Sequence, residues 1–567
     1  MNDLLHPALI YLLGAVLIPF LPNGKVRATI LLLVPIAAAL PLLLLPYGTY
    51  GEVALLGETL TLFRLDRLSF VFTLIFSLAA FLSLIYAWHV RDTMQQVAAL
   101  AYAGSAIGAA LAGDLITLFI WWEGTAIASV FLIWARRTPG AYHTGMRYLI
   151  VQIASGVILL GGAAIHYRET GSLAFDALSL DRIGAWLILL SFGIKCAFPL
   201  LHNWLQDSYP AATVTGTVIL SAFTTKLAIY ALARGYAGTE FLIYIGATMT
   251  LFPIFYAVIE NDLRRVLAYS LNNQLGFMVV GIGIGSELAI NGTAAHAFSH
   301  ILYKALLFMS VGAVLFRTGT AKGSELGGLY KTMPLTMVFC TVGAASISAF
   351  PLFSGFISKS MILSAAGHDG YYITWLILLF ASAGVFHHSG IKIPYFAFFA
   401  HDSGKRPAEA PWNMLLAMGL TSALCIGIGV YPNALYNILP FPVDYNPYTS
   451  SHVITQLQLL WFSALAFGTL MRTGIYPPEL RSTNLDSDWM TRRFAPAIIG
   501  FVTRVFAVLW EEALRGANAA LNASLTALHA LYGPTSRIAR IQATGHMVLW
   551  LALLLTAALF ISLLDIS

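Results

Sequence analysis

The chain has 567 residues, 58% of them hydrophobic and only 10% charged, against about 25% charged in an ordinary soluble domain. Mean hydropathy is +0.78, and 31 Lys and Arg against 26 Asp and Glu leave a net charge of +5. These values exclude a soluble enzyme, a disordered chain and a nucleic-acid-binding domain, and they require a solvent other than water.

A bilayer core needs about 20 apolar residues of helix. The sequence holds sixteen candidate spans, near 8–22, 27–46, 66–90, 96–112, 114–135, 145–165, 183–207, 211–235, 238–259, 264–285, 291–318, 333–367, 371–400, 412–431, 453–474 and 543–564. The first lacks a basic n-region and a second follows almost at once, so it does not read as a removable signal peptide. The runs are too long and do not alternate, which argues against membrane strands. The expected fold is an all-α polytopic bundle of about 14–16 helices. Loops after odd spans carry Lys25 and Arg27, Arg91, then Arg136, Arg137 and Arg147, then Arg264 and Arg265, and later Lys322, Lys331, Lys405 and Arg406. Loops after even spans are poorer in base, which predicts an N-terminus on the non-cytoplasmic side.

Two spans do not read as simple helices. Segment 333–367 would be about 52 Å long as one helix, and Pro351 sits at its middle. Segment 183–207 carries Pro199. Both prolines lie in the same tetrapeptide, Ala197-Phe198-Pro199-Leu200 and Ala349-Phe350-Pro351-Leu352. Proline removes a backbone donor and clashes with the preceding turn, so helices 7 and 12 should be broken. Interrupted helices at matching places point to a transport site between repeats. Spans 4–8 and 9–13 would be those repeats, inverted relative to each other because five crossings is an odd number. The expected organisation is 1–95 for helices 1–3, 96–235 and 238–400 for the two repeats, 412–474 for helices 14–15, and 485–567 for a tail.

Ionisable residues fall well inside the spans: Glu123, Lys195, Lys226, Lys304, Lys359 and Lys392, with His296, His300, His387 and His388. Each lysine or carboxylate costs about 2.5–3.5 kcal/mol at a helix centre, so the set would cost on the order of 15–20 kcal/mol facing lipid. Snorkelling can rescue one near a helix end, such as Lys392. The cheapest arrangement points the rest inward into a shared, partly hydrated file. His296, His300 and Lys304 are four apart in turn and share one helix face, and His388 and Lys392 are also four apart. A row of such groups can pass protons near neutral pH. The competing reading is a set of structural ion pairs and interhelical hydrogen bonds.

Other signals lead away from enzymology. Gly281, Gly283 and Gly285 have dinucleotide-loop spacing but lie in an apolar span, where they serve helix packing. No GxxxxGK[ST] run supports ATP-driven transport. Cys196, Cys340 and Cys425 are far apart and form no CxxC, and the His387-His388 pair has no companion cluster. No metal and no cofactor are expected. Asn291-Gly292-Thr293 matches a glycosylation triplet but abuts a span.

The chain resembles the antiporter-like membrane subunits shared by respiratory complex I and the Mrp-type multisubunit Na+/H+ antiporters. Trp122-Glu123 looks like the family's span 5 pair. Lys195 with Phe198 to Leu205 looks like its span 7 signature, and Thr225-Lys226-Leu227 through Arg234 like span 8. Asp262 to Ser270 resembles the opening of span 10, His300 to Leu307 span 11, and Phe350 to Lys359 the broken span 12. These cover about 66–400 in order, and the layout looks closest to the D-type Mrp subunit. The resemblance implies that Glu123 pairs with Lys195 and gates a proton channel. It further implies that Lys226, His300 and Lys304 relay charge across the centre and that Lys359 leads to the exit.

The tail departs from a fourteen-span core. Residues 497–531 set Phe501, Val505, Val508 and Leu509 against Arg504, Glu511, Glu512 and Arg515, an amphipathic helix suited to a membrane surface or a partner. The expected function is the proton-translocating subunit of a multisubunit Na+ (or other monovalent cation)/H+ antiporter in the plasma membrane, a transporter subunit rather than an enzyme. Its partners would be further membrane subunits, protons, the cation and lipid, with no nucleic acid. The rival readings are a redox-driven pump of the complex I or membrane-hydrogenase kind, the membrane subunit of an inorganic-carbon accumulation complex, a non-conducting scaffold, and a standalone transporter. Asp114, Thr117 and Asn203 are candidate oxygen ligands for the cation.

Overall fold

A computed structural model describes residues 6–55, 57–477, 479–480, 484, 486–536, 539–540 and 543–564. The helices follow the apolar runs. α1 (Pro7–Leu17) and α2 (Lys25–Leu44) precede an antiparallel hairpin, β1 (Gly48–Leu55) with β2 (Glu58–Leu65), in register Gly48 opposite Leu65. Hydropathy does not anticipate this hairpin. It lies between two spans, and Thr61 O accepts from Gly113 N at 2.9 Å, which pins it over the start of the fifth span.

α3 (Arg67–Tyr86) opens on Asp66, which forms a capping box with Ser69. α4 (Thr93–Leu111), α5 (Leu115–Trp134) and α6 (Pro139–Thr170) follow. The seventh span is divided as expected, into α7 (Ile183–Cys196) and α8 (Asn203–Ala211). The eighth is also divided, into α9 (Val214–Ala222) and α10 (Thr224–Gly235), with Phe223 at the joint. No proline or glycine marks that joint, so in sequence 211–235 reads as one helix. The second half runs α11 (Phe241–Ile259), α12 (Leu263–Ile284), α13 (Glu287–Thr318), α14 (Pro334–Ile347), α15 (Ser354–His368) and α16 (Tyr372–Val385). Its last span continues through π-helical turns at Phe386–Ile391 and Tyr395–Phe399, with one α-turn, α17 (Lys392–Pro394), between them. α18 (Trp412–Val430), the short α19 (Asn433–Tyr436) and α20 (Ser450–Thr473) complete the first compact unit, which runs to Asn484.

Several elements recur in the two halves. α4 and α11 each have 19 residues, α6 and α13 each 32, and α7 and α14 each 14. Asp114 and Asp262 cap α5 and α12 with their side chains, and each makes an isolated β-bridge, to Ala174 and Lys322. The repeated tetrapeptides take the same backbone form, with positive φ at Ala197 (61°) and Leu200 (69°), and at Ala349 (57°) and Leu352 (74°). Four non-glycine residues in this region are costly, which marks the breaks as over-determined by their surroundings.

α13 forms the axis. Every residue from Ala289 to Val314 is buried, and it packs against α3, α9, α12, α14, α15 and α18. Outward-facing leucine, isoleucine and phenylalanine on α1, α2, α6, α16 and α20 give the first unit the apolar exterior of a membrane bundle. The second unit begins at Leu485 and holds α21 (Ala495–Tyr532) and α22 (Thr544–Leu564), neither of which has a buried residue. α21 covers the stretch expected to form the tail helix.

Candidate functional site: a buried file of basic residues

The middle of the file is built on α12 and α13. Lys304 is fully buried and donates from Nζ to Ser270 Oγ at 2.9 Å and to the Leu267 carbonyl at 3.3 Å. Ser389 Oγ donates to Ser270 Oγ at 2.7 Å, and His388 Nδ1 lies 2.8 Å from Ser389 Oγ. Lys304 and His388, 84 positions apart, are thus joined through two hydroxyls. The π-turn at Phe386–Ile391 sets Ser389 in that bridge, in line with the frequent use of π-turns at functional sites.

A second branch runs from His296. Its Nδ1 is 3.1 Å from Ser358 Oγ, and its Nε2 is 3.4 Å from the Tyr303 hydroxyl. Tyr303 donates to Gln274 Oε1 at 3.1 Å, and Gln274 Nε2 donates to Asn273 Oδ1 at 2.6 Å. His300 stacks on His296 with centroids 6.1 Å apart, and it lies within electrostatic reach of Lys226, Lys304 and Lys359. Neither His300 nitrogen has a hydrogen-bond partner among the described residues. Lys359 donates to the Ile347 carbonyl at 3.0 Å, a group freed by the break between α14 and α15, and lies 5.1 Å from the Phe277 ring centroid.

The first half supplies Glu123, Lys195 and Lys226. Lys195 is the penultimate residue of α7, beside the break, and is fully buried. Its Nζ donates to the Trp122 carbonyl at 2.5 Å and to Thr125 Oγ1 at 2.8 Å, and sits 4.4 Å from the Trp122 ring centroid. Trp122 is held in turn by Ser155 Oγ at 3.0 Å. Glu123 and Lys195 are within electrostatic reach, but no ion pair within 4 Å joins them. Glu123 is half-buried between α5 and α6, and its Oε1 has no hydrogen-bond partner among the described residues. Lys226 follows the α9–α10 joint and donates to the Ser221 carbonyl at 2.6 Å. The breaks in the eighth and twelfth spans thus offer main-chain carbonyls, Ser221 and Ile347, that solvate a buried ammonium, while Lys195 beside the seventh-span break uses the Trp122 carbonyl of the unbroken α5.

Lys392 does not snorkel. It is fully buried, and its Nζ meets the carbonyls of Val258 (2.6 Å), Glu260 (2.7 Å) and Ala257 (3.2 Å) and the carboxylate of Glu479 (2.9 Å). Glu479 follows α20 in a segment with no apolar run or motif, so nothing in the sequence points to it. Ser270, Asn273, Gln274, Ser358 and Ser389 were also missed, although three consecutive amides, Asn272-Asn273-Gln274, inside an apolar span carry a legible cost.

Asp114 and Thr117 spend their oxygens on capping: Asp114 Oδ1 accepts from Thr117 N at 2.7 Å and its Oδ2 from Thr117 Oγ1 at 2.7 Å. At the same end of the bundle as Lys392, a polar cavity of about 590 Å³ is lined by Arg136, Gln206, Asp207, Glu260, Arg265 and Lys322 among others. Arg264 beside it ties the α8–α9 loop by donating to the carbonyls of Tyr209, Pro210 and Ala212 at 3.0–3.1 Å. Among the described residues no cluster of His, Cys, Asp and Glu is placed to hold a metal ion.

A many-span helical bundle with broken helices converging on a file of buried lysines and histidines defines a class, that of membrane ion-transport subunits. The family model described as NADH:quinone oxidoreductase/Mrp antiporter, TM, matches residues 112–386. The chain is 33% identical over 313 residues to the D-type subunit of the Na(+)/H(+) antiporter of Alkalihalophilus pseudofirmus, covering 52% of this chain and 63% of that one. It is 29% identical over 481 residues to the A-type subunit from the same organism, 76% of this chain and 58% of that one. The chain thus spans about three-fifths of the length of each of these two relatives. It is 30% identical to NADH-quinone oxidoreductase subunit N of Desulforudis audaxviator, over 58% of this chain and 72% of that one. A chain in the Mrp complex structure from Dietzia sp. DQ12-45-1b superposes with a TM-score of 0.77 at 24% identity, over 91% of this chain and 62% of that one. The chain belongs to the NADH:quinone oxidoreductase/Mrp antiporter family of membrane subunits.

Proposed function

We propose that this chain is the proton-translocating subunit of an Mrp-like multisubunit monovalent cation/H+ antiporter of the plasma membrane, with its N-terminus on the non-cytoplasmic side. The carrying observation is the run of buried cations from Lys195 through Lys226, Lys304 and Lys359 to Lys392, each solvated by main-chain carbonyls or hydroxyls. Glu123 starts the file and His300 stands at its middle.

Charge moves along such a row because neighbouring ammonium groups in a poorly screened interior repel one another strongly. A proton taken up at one lysine therefore favours release from the next. Closing Glu123 onto Lys195 would hold a proton there, and opening the pair would push it inward. The hydroxyl bridge from Lys304 to His388 gives the proton an exit branch. The polar cavity around Gln206 and Arg265 suits the cytoplasmic mouth, on the side the positive-inside pattern assigns to Arg136 and Arg265. Further membrane subunits would be its partners, with Na+ as the first cation to test.

Glu123→Ala tests the reading. The expected outcome is loss of cation-driven proton movement in membrane vesicles while the complex still assembles. Full transport in the assembled variant rejects the pathway. The likeness to NADH-quinone oxidoreductase subunit N, of which the chain covers 72%, favours a second reading, the same proton file driven by a redox partner.

A further inference from the structure

Lys392 sits in an arrangement unlike that of the other buried lysines. The carbonyl oxygens of Ala257 and Val258 in the last turn of α11, that of Glu260 just beyond it, and Glu479 Oε1 surround its Nζ at 2.6–3.2 Å. The last carbonyls of a helix have no intrahelical partner, and they carry the negative end of its dipole. The Glu479 side chain is almost fully buried, and its second oxygen, Oε2, has no hydrogen-bond partner among the described residues. Glu479 also lines a cavity of about 330 Å³ with Phe396, His401, Met471 and Tyr476. A ring of carbonyl oxygens completed by a carboxylate is what replaces the hydration shell of a bare alkali cation.

We infer that this oxygen cage is a binding site for a dehydrated monovalent alkali-metal cation, and that the Lys392 ammonium is a tethered competitor that fills it in the cation's absence. The charge inside the cage is conserved: one alkali cation enters through the cavity as the Lys392 ammonium withdraws, and the exchange is electroneutral for the whole protein when Lys392 releases its proton to water as it leaves, so Glu479 remains neutralised. The π-turns on both sides of α17 give Lys392 a backbone that can shift its register to withdraw. The other charged and titratable groups near the cage, among the described residues, are Glu260, Arg265, Tyr476, His387 and His388, with His401 across the cavity. Glu260 is already engaged, accepting from Asn261 N at 2.9 Å and Asp262 N at 3.1 Å and facing Arg265 at 3.8 Å. Tyr476 neighbours Glu479, and His387 packs on Tyr476 and Phe467. His388 turns to Ser389. Lys392 and Glu479 are therefore the pair that decides occupancy. Because only the charged lysine competes, cation binding should tighten as pH rises. The inference deepens the antiport reading, since it would place cation and proton in competition at one end of the file.

The test is equilibrium binding of 22Na+ and 86Rb+ to the purified, detergent-solubilised complex across pH. In the wild type, binding is expected to strengthen with pH for at least one of the two ions. Lys392→Met leaves Glu479 without its counter-charge, so it should bind that ion roughly tenfold more tightly and lose the pH dependence. Glu479→Gln should lose the site. Binding in both variants that matches the wild type overturns the inference and leaves a structural ion pair. If Lys392→Met does not assemble, the wild-type pH series against Glu479→Gln decides: equal binding per assembled complex overturns it. The readout needs no transport, so a complex that binds as expected but shows no cation-driven proton movement would keep this site and reject antiport. A complex that exchanges cation for protons with both variants binding normally would do the reverse.

Discussion

At the scale of single residues, the account rests on where Glu123 and Lys195 can move. A Cβ added at Gly156 would lie 1.4 Å from Glu123 Oε1, the far end of a flexible side chain. Gly156→Ala should therefore displace the carboxylate without unfolding the subunit. Vesicle assays should show transport cut roughly tenfold or more, with normal amounts of assembled complex on native gels. The Lys304–Ser270–Ser389–His388 chain makes a second claim at this scale. Ser270→Ala removes the shared hydroxyl, and the loss of hydrogen bonds to a charged group, about 1.5–3 kcal/mol, should slow proton transfer by roughly tenfold. Transport rates in Ser270→Ala that equal the wild type would remove this chain from the pathway. The lysines and histidines were legible because charge inside an apolar span is conspicuous. The hydroxyls linking them were not, because serine costs little enough in a membrane helix to pass as a packing residue.

At the scale of elements, the breaks in the seventh and twelfth spans were readable from Pro199 and Pro351, while the joint at Phe223 was not. That joint has no sequence breaker and is set by what packs around it: Phe223 lies edge-on to Tyr102 and Phe76, and Thr224 N donates to the Tyr102 hydroxyl at 2.9 Å. The α14–α15 break depends on close backbone approach, since a Cβ at Gly355 would lie 1.8 Å from the Ser346 carbonyl. Gly355→Ala should cost about 3 kcal/mol or more, because backbone cannot yield as a side chain can, and the variant should accumulate poorly in membranes. The start of α3 carries a pH-dependent tie. Burial pulls the Asp66 carboxyl up, but Arg234, the Ser69 N–H and Arg64 outweigh it and hold it below the usual range. Arg234 donates to both carboxylate oxygens, at 2.8 and 2.7 Å. A carboxyl held low when folded contributes stability above its unfolded value and loses it as pH falls through the folded one. Asp66→Asn should therefore destabilise the purified complex near neutral pH by about 1 kcal/mol, after allowance for its partial exposure, and so lower its Tm. That gap should close as pH falls below about 4.

At the scale of the whole molecule, the two halves repeat in element length, capping aspartate and broken helix, and the buried lysines string across both. The repeat was visible in the sequence only as one shared tetrapeptide, because helix lengths and caps carry little weight until the helices are seen. The order of the apolar segments followed from hydropathy, but of the sixteen spans expected, twelve described helices are long and apolar enough to cross a bilayer, with three shorter apolar ones; the hairpin of β1 and β2 was not anticipated, being short and of mixed composition. Glu479 escaped for a related reason: its role comes from a tertiary meeting with Lys392, 87 positions away, and no local pattern records it. The central claim is that protons cross this subunit along the lysine file in exchange for a cation. The most direct measurement expresses the chain with its neighbouring subunits in a host lacking its own antiporters, and follows a pH-sensitive dye in everted vesicles as Na+ or K+ is added. The account predicts a cation-dependent collapse of the pH gradient in the wild type that disappears in Lys195→Ala. A collapse of equal size in the two, with both complexes fully assembled, would contradict it.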